Sequence, residues 1–204
     1  MKVTLGIVVT IVALFVGIFM ISEVSSVIPD SQLYDYVYST VTNNTKLTLN
    51  NSVNQTHSLS IGSIASIDGK TPEKILTIKV NNTATSNIYS LKIYLNAQLI
   101  ATENLPNNTV STFSYENVNI VENAVNNVTM NSNTTSADVD VLSSSIKYPS
   151  DKITTSFGDI HTGLVTNTGT IYNILVLVLI IIGLAVAIAY LNRFGGESKT
   201  TPAV

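Results

Sequence analysis

The chain contains no cysteine and no tryptophan, and of its 204 residues two are histidine and 11% are charged. Without cysteine there is no disulfide staple and no thiolate metal site, so an exported domain of this sequence must be held by its core. A metal centre needs several converging N, O or S ligands. The two histidines, His57 and His161, stand in separate segments and read as solvent-exposed polar residues. The "DVD" of Asp138–Asp140 offers oxygens of the kind calcium takes, but the alternation around Val139 and Val141 favours a half-exposed strand. No Gly-rich phosphate loop, H-E-x-x-H pair or nucleophile elbow occurs. No catalytic residue, cofactor or metal is therefore expected, and the chain reads as non-enzymatic. Ten Lys and Arg against thirteen Asp and Glu leave no basic face, so nucleic acid is not an expected partner.

The scarcity of charge is unevenly distributed. Two blocks, Val3 to Ser22 and Ile171 to Leu191, carry none at all. Each has about the twenty residues that a helix rising about 1.5 Å per residue needs to cross a hydrocarbon core of about 30 Å. The second block is bracketed by Tyr172 and Tyr190 and followed by Arg193, an interfacial aromatic pair with a basic stop. A cleavable signal has an apolar run of about 7–15 residues and a small-residue exit. The first block is longer and runs into "SEVSSVIPD", a poor exit, so it is expected to be retained as an uncleaved anchor. Lys2 before the first block and Arg193 with Lys199 after the second place both termini inside and residues 23–170 outside.

Gly6, Thr10, Ala13 and Gly17 recur at spacings of four, three and four, and so share one helical face. Gly183 with Ala187, and Ala185 with Ala189, repeat the spacing in the second block. In lipid, small residues let helices approach closely, so these positions are candidate helix-packing sites within the chain or between copies.

Between the blocks the chain is rich in Asn, Ser and Thr. It holds seven N-x-[ST] motifs, with candidate N-glycosylation at Asn43, Asn50, Asn54, Asn81, Asn107, Asn127 and Asn133. Here the period is two. "KILTIKV" sets Leu76, Ile78 and Val80 against Thr77 and Lys79, and "IYSLKIYL" sets Tyr89, Leu91, Ile93 and Leu95 against Ser90, Lys92 and Tyr94. Further strands are predicted at 46–53, 58–64, 99–102, 110–117, 128–130 and 137–142, with turns at Asp68-Gly69, Asn81-Asn82 and Pro106-Asn107-Asn108. "LYDYVY", just past Pro29, suits a first strand better than an interfacial collar. The predicted fold is mainly β, an antiparallel immunoglobulin-like β-sandwich flanked by two transmembrane helices. Its predicted divisions are 1–22 N-terminal transmembrane helix, 23–149 sandwich ectodomain, 150–170 stalk or partly helical lead-in to the second span, 171–191 C-terminal transmembrane helix and 192–204 inner tail.

The stretch "LTIKVNNTATSNIYSLKIYLNAQLI" resembles paired strands of the immunoglobulin-like sandwiches in archaeal pilins and archaellins. The overall layout, two anchors around an Asn/Ser/Thr-rich, cysteine-free exterior, is similar to that of membrane-embedded structural proteins of enveloped, spindle-shaped (fusellovirus-like) archaeal viruses and of archaeal envelope proteins. The resemblance implies a structural membrane glycoprotein of a virion or cell envelope. Its partners would be the lipid bilayer, copies of itself or other envelope proteins. Alternatives are an accessory subunit of a membrane complex, a host-attachment or adhesion protein with a host-surface ligand, and a pilin-like filament subunit. Residues 23–170 hold seven Lys and twelve Asp or Glu, few for their number. A surface solubilised by amides and hydroxyls avoids the swing in charge that carboxylates undergo near pH 4. The protein is therefore expected to face an acidic medium, and loss of its fold by circular dichroism between about pH 7 and pH 3 would contradict this.

Overall fold

A computed structural model of the chain describes residues 2–50 and 53–195, with side chains at 9–50 and 53–191. The chain divides into two units, a β unit over Tyr34–Thr155 and a helical unit drawn from the segments on either side of it.

Among the described residues the β unit contains nine strands, β1 (Tyr34–Asn43), β2 (Leu47–Leu49), β3 (Gln55–Ile61), β4 (Ile75–Asn82), β5 (Tyr89–Leu95), β6 (Gln98–Leu105), β7 (Thr109–Tyr115), β8 (Ala124–Ser132) and β9 (Val139–Thr154). One sheet runs β1-β9-β4-β7, with β2 continuing β1 along β9, and the other runs β3-β8-β5-β6; all pairings are antiparallel. The period-two segments deliver what they imply. Leu76, Ile78 and Val80 of β4 face Leu91, Ile93 and Leu95 of β5 and Val128 and Met130 of β8 in one core. Each such side chain, wholly buried, contributes about 1.5–3 kcal/mol.

The strand order corrects the immunoglobulin-like expectation. An immunoglobulin domain pairs strands A-B-E-D and C-F-G. Here the pairs are nested, β2 with β9, β3 with β8, β4 with β7 and β5 with β6. This is a long antiparallel ribbon folded over itself, the arrangement of a jelly roll. The β5–β6 hairpin turns on Asn96 (φ 51°) and Ala97 (φ 68°), both left-handed, as a two-residue hairpin loop requires.

Several boundaries differ from those expected. The tyrosine-rich first strand extends to Asn43, with Tyr36 buried; its hydroxyl donates to the Lys70 carbonyl and accepts from the Ile67 amide, clamping the Asp68-Gly69 turn. The predicted strand at 46–53 shrinks to Leu47–Leu49, and part of it, residues 51 and 52, lies outside the described residues. β9 runs on to Thr154, so residues 150–154 of the predicted stalk belong to the sheet. Pro149 is accommodated because the register slips beside it, where Val37 pairs with Asp151 and Tyr38 with Pro149.

The helical unit comprises α1 (Lys2–Val27), the single turn α2 (Asp30–Leu33) and α3 (Ser156–Gly195). Pro29 stands two residues beyond the end of α1 and blocks its continuation. The rest of the predicted stalk, 156–170, is the first part of α3, whose 40 residues are continuous. Val9–Val27 and Ser156–Leu191 are long and apolar enough to cross a membrane. Within α1 and α3 only Gly158 and Leu175 are buried among the described side chains, unlike the helices of a soluble core. The predicted inner tail lies almost wholly outside the described residues.

Candidate functional site

α1 and α3 run antiparallel. Phe15 and Tyr172 meet edge to face with centroids 5.9 Å apart, and Ser25 Oγ lies 2.8 Å from His161 Nε2. The expectation of a solvent-exposed His161 is corrected: it is half-buried and hydrogen-bonded to α1. Carrying this register along the helices sets the α1 apolar block opposite about residues 165–184 of α3, displaced by about 10 Å from the α3 block.

Of the small-residue positions, Thr10, Ala13 and Gly17 line a cavity of about 400 Å³ with Thr168 and Ile171 of α3. A Cβ built at Gly17 or Gly183 would meet no atom within 4 Å, and Ala187 is exposed, so these positions leave open surface within this chain. Gly6 falls where side-chain surroundings are not described. A second stripe escaped the sequence reading. Gly163, Thr166, Asn167, Thr170 and Asn173 recur at helical spacing on the side of α3 away from His161, Tyr172 and Leu175, and all five are exposed. Their depth, by the register above, is that of the apolar lower half of α1, where Val16, Phe19 and Met20 are exposed.

In the β unit, His57 is 1% exposed. It lies in phase with Leu59 and Ile61 on the inner face of β3, its Nε2 2.7 Å from the Thr45 carbonyl and its Nδ1 2.9 Å from Ser144 Oγ. The neutral tautomer with Nε2–H donating to Thr45 and Nδ1 accepting from Ser144 satisfies both. The expectation of an exposed His57 is corrected: it is a core residue. Asp138 accepts from the Tyr89 hydroxyl, and Asp140, in β9, pairs with Lys46 at 2.8 Å and accepts from Thr48 Oγ1. No cluster of three potential metal ligands occurs among the described residues.

Two titrations in the β unit are shifted. A hydrogen bond from Lys70 Nζ, then one from the Tyr36 amide, then the Lys70 charge hold the Asp35 carboxyl below the usual carboxylate range. Burial, then the hydrogen bond to Glu103, push the Tyr115 hydroxyl up.

The seven candidate acceptor asparagines are all exposed or half-exposed. Their amides differ. Asn107 Nδ2, the atom that would carry a sugar, donates to the Thr85 carbonyl. The Oδ1 atoms of Asn43 and Asn133 accept from the Thr45 and Ser90 amides. Asn50 is exposed beside the undescribed residues 51 and 52, and Asn81 sits within β4. Asn54 and Asn127 come together on the outer face of the β3-β8-β5-β6 sheet, with Lys92, Tyr94, Asn96, Ala97, Thr129 and Asn131, around a groove of about 640 Å³. Asn54 Oδ1 accepts from Asn131, and Asn127 Oδ1 accepts from Ser58. The hydroxyls of Thr56 and Thr129, the third residues of the same two motifs, are 2.9 Å apart. This groove was legible in part. Lys92 and Tyr94 are the outward phase of "IYSLKIYL", but which strand lies beside them is set by pairing across the sheet.

No protein-family model matches the chain, and no curated protein matches it. Solved structures with a similar chain path include dimeric latent PorU from Porphyromonas gingivalis (TM-score 0.41, 9% identity, covering 58% of this chain and 13% of that one). Others are a family 35 carbohydrate binding module from an environmental isolate (0.38, 17%, 60% and 86%) and the C-terminal domain of EclA, a sugar-binding protein (0.33, 13%, 59% and 80%). With every score below 0.5, these likenesses carry no argument about ligand or activity.

Proposed function

We propose that this chain is a non-enzymatic structural membrane glycoprotein of an archaeal virion or cell envelope, moored by α1 and α3, with its β unit on the outer side. The observation that carries the reading is the pairing of Tyr34 with Thr154. The first and last residues of the β unit's main sheet are neighbours, so both connections to the apolar helices leave from one corner, as two moorings in one bilayer require. The archaeal and virion assignment rests on the resemblance of layout alone. Assembly is drawn to the helices because their surfaces are unfinished within one chain. Amides and hydroxyls facing lipid are costly and favour association with another helix, and Thr166, Asn167 and Asn173 present such a face, beside Thr170 whose hydroxyl donates to the Thr166 carbonyl. An accessory role in a larger complex would use the same face with a different partner.

The absence of cysteine makes the topology directly testable. In intact particles or cells, Ser60→Cys is expected to react with a membrane-impermeant maleimide, and Lys199→Cys only after detergent is added. Reaction of both before detergent sinks the two-mooring topology. In mild detergent the full chain is expected to migrate as a homo-oligomer that Asn167→Leu with Asn173→Leu reduces to smaller species. Co-purification with a different membrane subunit supports the accessory alternative instead.

A further inference from the structure

We propose that the groove on the outer face of the β3-β8-β5-β6 sheet seats a saccharide linked to Asn127, with its first ring lying over Tyr94. This deepens the glycoprotein reading and rests on it. Of the seven candidate acceptors, Asn54 and Asn127 share one concave surface. Its volume of about 640 Å³ falls within the range of about 300–1,000 Å³ typical of small-ligand sites. Each of the two amides is engaged by a neighbour, Asn131 or Ser58, through its oxygen and not through the Nδ2 that would carry a sugar. A sugar at either position would thus leave the sheet's own hydrogen bonds intact.

Asn127 is distinguished from Asn54 by the register. Tyr94 pairs with Thr129, which makes Asn127 its diagonal neighbour across one strand spacing, about 7–8 Å away between Cα atoms. That gap is short enough for a pyranose on Nδ2 to reach the phenol ring. Asn54 lies beyond β8, two strand spacings or about 10 Å from β5, and its sugar would have to cross Asn131. The chemistry of the surface matches a saccharide on both counts. The half-buried Tyr94 ring offers an apolar plane to the C–H face of a pyranose, while Lys92, Asn54 and Asn131 offer donors and acceptors to its hydroxyls. The linkage is an ordinary transfer from a phosphate-activated glycosyl donor of the host. The Nδ2–C1 bond forms, the C1–O bond to the donor's phosphate breaks, and one Nδ2 proton leaves.

The experiment uses the full chain, purified in detergent from a host that glycosylates N-x-[ST] motifs, with occupancy read by glycopeptide mass spectrometry. Thermal unfolding is then compared for the unsubstituted chain, Tyr94→Ala, Asn127→Gln and the double variant. Expected are a sugar on Asn127 and a fall in the unfolding midpoint of about 3 °C on Tyr94→Ala that disappears in the Asn127→Gln background. Tyr94→Phe, which keeps the ring, is expected to keep the coupling. An equal effect of Tyr94→Ala in both backgrounds overturns the seating, as does a bare Asn127. If Asn127 is bare and a free oligosaccharide shifts the Tyr94 ring resonances, the groove takes sugar from outside and the assignment to the chain's own glycan fails. A bare Asn127 beside occupied Asn43 or Asn133 removes this proposal alone, whereas no sugar at any motif removes the glycoprotein reading with it.

Discussion

In β4, Leu76, Ile78 and Val80 are wholly buried, whereas in α3 Ile180, Leu184 and Ile188 each leave more than half of their surface exposed. Both segments are strongly apolar. In β4 and its neighbours the apolar residues alternate with polar ones, so one face can close on a core and the other meet water. Below Asn173 the apolar residues of α3 surround the helix and no face remains for water. Apolar content therefore does not specify a core; its period and its partners do. The two units ought to fail under different insults, and that expectation can be broken or sharpened by substitution.

The largest effect is expected in the β core. Leu91→Ala is expected to cost the β unit about 3–4 kcal/mol, read as a lower urea midpoint with an unchanged slope. The matching Leu184→Ala in α3 is expected to leave that midpoint within the error of measurement. An equal loss from both would mean that the helical unit shares the core's cooperativity. Next, Leu184→Arg is expected to disfavour insertion by about 3 kcal/mol, lowering recovery in the membrane fraction while the β circular dichroism persists. His57→Ala comes third, at about 2–3 kcal/mol, because it opens a cavity in the core and removes the hydrogen bonds to the buried Ser144 hydroxyl and to the Thr45 carbonyl. His161→Ala, which removes one interhelical hydrogen bond, is expected to cost about 0.6 kcal/mol and only within the helical unit. Ala97→Gly is expected to stabilise the β unit by about 0.5–1 kcal/mol, since Ala97 is held at φ 68° where glycine is unstrained.

The smallest effects concern pH. The Asp35 carboxyl is more acidic folded than unfolded, so its contribution is present above about pH 4 and is lost as pH falls below that. The Tyr115 hydroxyl is less acidic folded, so its contribution is present below about pH 10 and is lost as pH rises beyond. Asp35→Asn is expected to flatten the acid limb of a midpoint-against-pH curve, and Tyr115→Phe the alkaline limb.

How much could be read from residues alone follows from how local each feature is. The apolar blocks and the alternation of Leu76, Ile78 and Val80 are local, and both were legible. The burial of His57 was legible in principle, because it shares its parity with Leu59 and Ile61, but a lone histidine among sequons hid the signal. Beyond Leu142, β9 reads as polar loop, since Ser143–Ser145 and Pro149 mask a strand that is paired on both sides over residues 144–147. The nested strand order was beyond reach, because β2 and β9 are joined across about ninety residues and nothing in either segment names the other. The same holds for the groove, whose walls Asn54, Tyr94 and Asn127 come from three strands. The polar stripe on α3 was hidden for another reason. A reading that took 150–170 as a stalk or a partly helical lead-in fixed no helical phase on which to place Thr166 or Asn167.

Tyr34 and Thr154 form the outermost rung of the β1–β9 ladder, and each is the residue from which a mooring departs. A force that draws the two moorings apart acts across the ladder at its last rung, so it loads one hydrogen-bonded pair at a time instead of shearing all of them together. The sheet would open like a zip, from Tyr34 inward, at low tension.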